Sequence, residues 1–173
     1  VLADSGYDDK KIETAIAAKG WHFIIALSQT RSVKSEALYL STPPSRQWCH
    51  IDTFFRCHRR LKWDTIRLAT GGNKRKRMDV RIRHTSGYLR YVGKVELVCS
   101  EQRNRPDGRR KYLACNDLRA TVRQIVTGYR LRWAVELFHK SVKQNLGFED
   151  VATHGFDAVM SHVHWGYSAY ILL

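Results

Sequence analysis

VLADSGYDDKKIETAIAAKGWHFIIAL, residues Val1 to Leu27, decides the fold. Val1 to Ala3 is a short apolar run ending at Asp4, followed by the turn formers Ser5-Gly6-Tyr7. Asp8 or Asp9 can accept hydrogen bonds from the first free N–H groups of a helix. Ile12, Ala15, Ile16 and Lys19 then keep a helical period over Lys10 to Lys19. Gly20 stands just past the last turn, where a left-handed residue closes a helix. Trp21 to Leu27 reads as a second, mostly buried strand. Strand, helix and strand within about thirty residues make a βαβ unit with parallel strands.

Outward from this unit the pattern changes. Pro43-Pro44, Gly71-Gly72, Ser86-Gly87 and Pro106-Asp107-Gly108 are turn signals between short β-rich runs. The expected strands are Cys49 to Phe55, Lys62 to Leu68, Asp79 to His84, Tyr88 to Cys99 and Arg110 to Ala114, the last two joined as a hairpin. From Asp117 the period turns helical: Leu118 to Thr127, Tyr129 to Leu146, and a third helix from about Asp157. The expected organisation is an α/β domain with a β-rich insertion, divided as 1–28, 29–116 and 117–173.

Thirty Lys and Arg against sixteen acids leave a net charge of +14 and a pI near 10.0. Such a field attracts polyanions. No helix pairs a basic face with an exposed apolar one, so nucleic acid is favoured over a membrane surface. A hydrophobic content of 43% excludes wholesale disorder. The apolar runs are too short to span a bilayer, and no secretory signal opens the chain. Cys49, Cys57, Cys99 and Cys115 are well spread and read as reduced thiols in a cytoplasm. The chain starts without Met and stops within an apolar run, so both ends are expected to be cut.

The sharpest chemistry lies in YRLRWAVELFHKSVK, Tyr129 to Lys143. Take Arg132 as zero on a helix: Glu136 then falls at about 40°, Lys143 about 20°, His139 about −20° and Tyr129 about 60°. These five share one polar face, while Val135, Phe138 and Val142 occupy another. A lone carboxylate among cations suits a metal-binding acid flanked by phosphate-gripping groups. The same spacing also describes a solvated face with one Arg132–Glu136 ion pair, of about a few tenths of a kcal/mol. Asp4 has two readings as well: a strand-end carboxylate, where open α/β sheets meet ligands, or a turn cap.

Tyr129, Arg132, Glu136 and Lys143 match the pattern Tyr-x2-Arg-x3-Glu-x6-Lys. That pattern resembles the signature of cut-and-paste insertion-sequence transposases of bacteria, DDE enzymes with a ribonuclease H-like catalytic core. The flanking Gln124-Ile125-Val126 and Lys143-Gln144-Asn145-Leu146-Gly147 are similar to that family too, and Val1 to Tyr7 resembles the strand carrying its second catalytic Asp. The resemblance implies a partial ribonuclease H-like core with a β-rich insertion between that strand and the Glu helix. It implies Mg²⁺-dependent (or Mn²⁺-dependent) DNA cleavage and strand transfer, with two ions in the complete enzyme. Asp4 and Glu136 would be catalytic metal ligands; Tyr129, Arg132 and Lys143 would hold phosphates. Double-stranded DNA, as transposon ends and target, is the implied partner, bound by a homodimer in the bacterial nucleoid. The family's first Asp has no counterpart in these residues, so the chain is expected to be a fragment, inactive alone. The alternative is an inactive transposase-derived remnant that only binds DNA.

Weaker signals surround this site. Arg56 to Arg90 holds twelve Lys or Arg against Asp64 and Asp79. The functional reading is a surface tracking the DNA backbone, with Lys74, Arg75, Lys76 and Arg77 on a loop tip. Trp48 and Trp63 are read as core packing before base stacking. His139 faces with Glu136 and is a candidate DNA contact. Cys49-His50 and Cys57-His58 match no common zinc spacing.

Overall fold

The computed structural model describes residues 1–35, 48–57, 61–70, 73–102, 110–145 and 155–172. At 69–70, 73–76, 139, 141–145, 166–167 and 169–172 it describes the backbone alone. The chain forms two compact units, Val1–Tyr129 and Arg130–Leu173.

The first unit opens as the βαβ reading requires. Strand β1 (Leu2–Ala3), helix α1 (Lys10–Ala18) and strand β2 (Ile24–Leu27) follow in order, with Leu2 opposite Ile24 and Ala3 opposite Ile25 in parallel register. Asp9 caps α1, its carboxylate accepting from Lys11 N–H at 2.7 Å. Gly20 takes φ +69° past the helix, and Trp21 N–H returns to Ile16 C=O at 3.2 Å. Side chains of Asn116 then tie the strand entrance: its Oδ1 accepts from Phe23 N–H at 2.7 Å and its Nδ2 donates to Trp21 C=O at 3.0 Å.

Six more strands extend the same sheet: β3 (Ser32–Ser35), β4 (Trp48–His50), β5 (Asp64–Thr70), β6 (Asn73–Leu89), β7 (Gly93–Gln102) and β8 (Lys111–Cys115). Their order is β1-β2-β8-β7-β6-β3-β4, with β5 also on β6. Only the β1–β2 step is parallel among these pairings. The strands of segment 29–116 therefore continue the opening sheet, and β8 lies directly against β2.

Alternation along the strands builds two cores, one per face. Ile25, Leu27, Leu97, Cys99, Tyr112 and Ala114 face one way, against Ile16 of α1 and against Ile51, Phe54 and Phe55 of α2 (Ile51–Cys57). Ala26, Val80, Ile82, Val98, Leu113 and Cys115 face the other way. There Ile125, Val126 and Tyr129 cover them, from the start of α3 (Val122–Asn145). Gly128 lets this helix sit close: a Cβ there would come 2.9 Å from Ile24 Cδ1.

Three expectations are corrected. Cys49 to Phe55 is not one strand; β4 stops at His50 and α2 follows, because Ile51, Phe54 and Phe55 at helical spacing bury on one side. Ser86-Gly87 is not a turn: β6 runs through it, and Gly87 is there for space. A Cβ on it would lie 2.6 Å from Leu97 Cδ1 and 2.8 Å from Lys34 O. The turn comes at Arg90–Val92, with Tyr91 at φ 72° and Gly93 at φ 103°. Finally, Leu118 to Thr127 and Tyr129 to Leu146 are not separate helices. α3 starts at Val122, behind the reciprocal cap of Thr121 and Gln124, and continues through Gly128.

The second unit holds the rest of α3 and α4 (Phe156–Leu172). Its apolar residues are largely uncovered, with Trp133 58%, Val135 53% and Trp165 75% exposed. The anchoring face expected at Val135, Phe138 and Val142 is thus open at Val135, while Val142 lies outside the described side chains.

Candidate active site

Asp4 ends β1, and its carboxylate does two things. Oδ1 accepts from Ser5 N–H at 2.8 Å and so caps the single turn of 3-10 helix at Ser5–Tyr7. The same oxygen accepts from the Tyr129 hydroxyl at 3.3 Å. The cap reading of Asp4 is therefore correct, and it coexists with a long-range contact. Tyr129 is 7% exposed, and its ring packs in the core under α3. Lys111 Nζ stands 5.7 Å from the ring centroid. Tyr129, expected to hold a phosphate, is thus brought to the strand-end acid.

Beside Asp4 lies a buried ionic cluster that the sequence did not reveal. Arg31 Nη1 stands 3.3 Å from Asp8 Oδ1, and Arg31 Nη2 bonds Glu13 Oε2. Glu13 is wholly buried, and Asp8 nearly so. Asp8 Oδ2 also accepts from Ser28 N–H at 2.8 Å, which fixes the end of β2 to the start of α1. Burial raises the Glu13 pKa to about 7, against the lowering influence of Arg31. Its helical spacing to Ile16 was the available signal, since i and i+3 share a face.

On the second unit's stretch of α3, Arg132 Nη1 pairs with Glu136 Oε1 at 2.6 Å. The guanidinium side chain is 17% exposed and the carboxylate 38%. The side chains of His139 and Lys143 lie outside the described residues, although both positions are on the helix. Among the described residues no group of three His, Cys, Asp or Glu side chains converges as a metal site. The four cysteines are free thiols, as read.

Lys74, Arg75, Lys76 and Arg77 are not on a loop tip. They fall within β6, near its start, with Arg77 opposite Ala69 and Asn73 opposite Thr70 in the ladder with β5. The side chains at 74–76 are outside the described residues, and Arg77 is exposed. Trp63 is half-buried against the α2 side of the sheet, as core packing requires. No described helix is long and apolar enough to cross a membrane.

The family model described as transposase DDE domain matches residues 1–172. No protein of curated function matches the chain.

Proposed function

Because this chain belongs to the transposase DDE domain family, we propose that it is the catalytic part of a DNA transposase, cleaving DNA and transferring the freed strand. The hydrogen bond from Tyr129 to Asp4 carries this reading. It joins the first member of the Tyr-x2-Arg-x3-Glu-x6-Lys pattern to the acid that the family uses second. Glu136 is the partner acid by its place in the same pattern. In family terms 1–28 and 117–173 are core, and 29–116 is the insertion.

Carboxylate oxygens are the hard donors that Mg²⁺ or Mn²⁺ takes. Asp4 and Glu136 would supply two of the three acids that the family requires. A divalent cation there would make a water or 3′-hydroxyl more acidic and screen the leaving oxygen. The chain's own residues prepare that chemistry. Tyr129 holds the Asp4 carboxylate by its O–H, and Ser5 N–H donates to the same oxygen. Arg132 holds Glu136, and a guanidinium is the group that suits phosphate geometry. Lys143 and His139 follow on the same helix and are the further proposed DNA contacts. A homodimer on duplex DNA, in the bacterial cytoplasm, completes the proposal.

The alternative is a transposase-derived remnant that only binds DNA, and one experiment separates the two. The decisive experiment uses a chain that also carries the family's first acidic strand. Its Glu136→Ala variant is expected to lose Mg²⁺-dependent cleavage of transposon-end DNA and to keep DNA affinity. Cleavage at the parent rate would remove Glu136 from the site. An extended chain that binds DNA and never cleaves would establish the remnant.

A further inference from the structure

Trp63 stands at the mouth of β5, half-buried, with its ring packed near the cluster that holds Phe55 and Tyr112. Three guanidinium groups lie over that ring. Arg83 is 4.5 Å, Arg81 4.8 Å and Arg110 5.7 Å from its centroid. They come from β6 and from the residue before β8. Glu101 of β7 bridges two of them, at 3.1 Å from Arg81 Nη1 and 3.5 Å from Arg110 Nε. Arg83 is held from below, donating to Phe55 C=O at 2.9 Å.

The same face carries more charge. Positions 77, 79, 81 and 83 of β6 share it at intervals of about 6.8 Å. Arg67 Nε lies 3.1 Å from Asp79 Oδ1 across the β5–β6 ladder, and Arg77 is exposed. Among the described residues, five arginines thus meet Asp79 and Glu101, with Asp52 held apart by Tyr112 and Arg56. Crowding like charges is unfavourable, and packing alone does not ask for it. Apolar side chains would serve Trp63 as well.

We propose that this array is a docking surface for the sugar-phosphate backbone of duplex DNA, with Trp63 as the platform that pre-orients its arginines. A guanidinium stacked by its face keeps its N–H edge for in-plane acceptors, which suits the fork that binds phosphate. Rotamer freedom already lost to stacking need not be lost on binding. Glu101 and Asp79 act as internal anions that phosphates displace or supplement. The inference deepens the transposase reading and rests on it for the identity of the polyanion, but it concerns a surface separate from Asp4 and Glu136.

The test measures binding of the 173-residue chain to a labelled random-sequence duplex over a series of salt concentrations. Arg81→Ala with Arg110→Ala is expected to weaken binding at least about tenfold and to make the slope of log K against log salt shallower by about 2. An equal loss of charge on α1, Lys11→Ala with Lys19→Ala, is expected to leave affinity close to the parent value. Arg81→Lys with Arg110→Lys keeps the charge but loses the flat fork, and is expected to bind more weakly than the parent. Should the double alanine variant fold poorly, Glu101→Gln decides with the opposite sign. By releasing two guanidinium groups it is expected to tighten binding several-fold.

An unchanged slope in a natively folded Arg81→Ala/Arg110→Ala variant would overturn the proposal. So would unchanged or weaker binding by Glu101→Gln, or equal affinity for polyglutamate and duplex. Each of these leaves the transposase reading standing, because that reading falls on Glu136-dependent cleavage instead.

Discussion

The Tyr129 hydroxyl donates to Asp4 Oδ1 at 3.3 Å, across 125 positions of sequence. The contact exists because α3 rides close on β2, where Gly128 meets Ile24, and because Asp4 sits at the end of the neighbouring strand β1. A helix that packs for apolar reasons thereby fixes a carboxylate rotamer.

Tyr129→Phe keeps the ring in its core seat and removes only the hydroxyl. Stability is expected to fall by about 1 kcal/mol, read from a urea midpoint. In a cleaving, extended chain the same change is expected to slow cleavage about tenfold with DNA affinity unaltered. A loss of affinity instead would return Tyr129 to a phosphate-holding role.

Glu13 makes stability depend on pH in an unusual direction. Its pKa is raised from 4.5 to about 7 by burial, so the folded chain holds a proton there that the unfolded chain has released. Between those values folding binds protons, and stability falls as pH rises. Going from pH 5.5 to 8 is expected to remove about 2 kcal/mol. Denaturation curves of Glu13→Gln should show this component gone, leaving the remaining pH dependence. A parent and mutant with parallel profiles would contradict the buried-acid account.

Gly87→Ala is expected to destabilise by about 1–3 kcal/mol through overpacking. The new methyl would press on Leu97 Cδ1 and on the backbone oxygen of Lys34, and the latter cannot swing aside. Pairing Gly87→Ala with Leu97→Ala should relieve only the Leu97 contact. A neutral single mutant would show that β3 can shift.

Tyr91 occupies the left-handed region at φ 72°, which a side chain tolerates poorly. Tyr91→Gly removes that strain but adds backbone freedom to the unfolded chain, so a net gain of about 0.5–1 kcal/mol is expected. Lys10 and Arg90 lie 5.0 and 5.5 Å from the Tyr91 ring. A thermal melt showing loss rather than gain would mean that these cation–ring contacts outweigh the strain.

Much of the first twenty-seven residues was legible because their signals are local: apolar runs, a capping Asp, a Gly at the helix exit. The middle resisted for reasons that are not local. Ile51, Phe54 and Phe55 carry a helical spacing, yet their aromatic and β-branched character read as strand. Ser86-Gly87 has turn chemistry, but the neighbouring β3 needs the missing side chain. Gly128 looked like a break between helices and is instead a contact. At the site, the i,i+4 spacing of Arg132 and Glu136 foretold their ion pair, which belongs to the solvated-face reading. That Tyr129 serves Asp4 depends on long-range packing, which periodicity does not encode. For Glu13 the spacing to Ile16 was the one local sign, and an acid on a surface-like helix gives no sign of Arg31 arriving from beyond β2.

The tie made by Asn116 to Phe23 spans 93 positions, and β8 closes on β2 just ahead of it. On a ribosome, those partners of the Asp4-bearing unit emerge only after the whole intervening ladder has been made. At about 5–20 residues per second the opening strands wait on the order of 5–20 s. The contact of Tyr129 with Asp4 is thus assembled late in synthesis, after the basic strands β5 and β6 have been made.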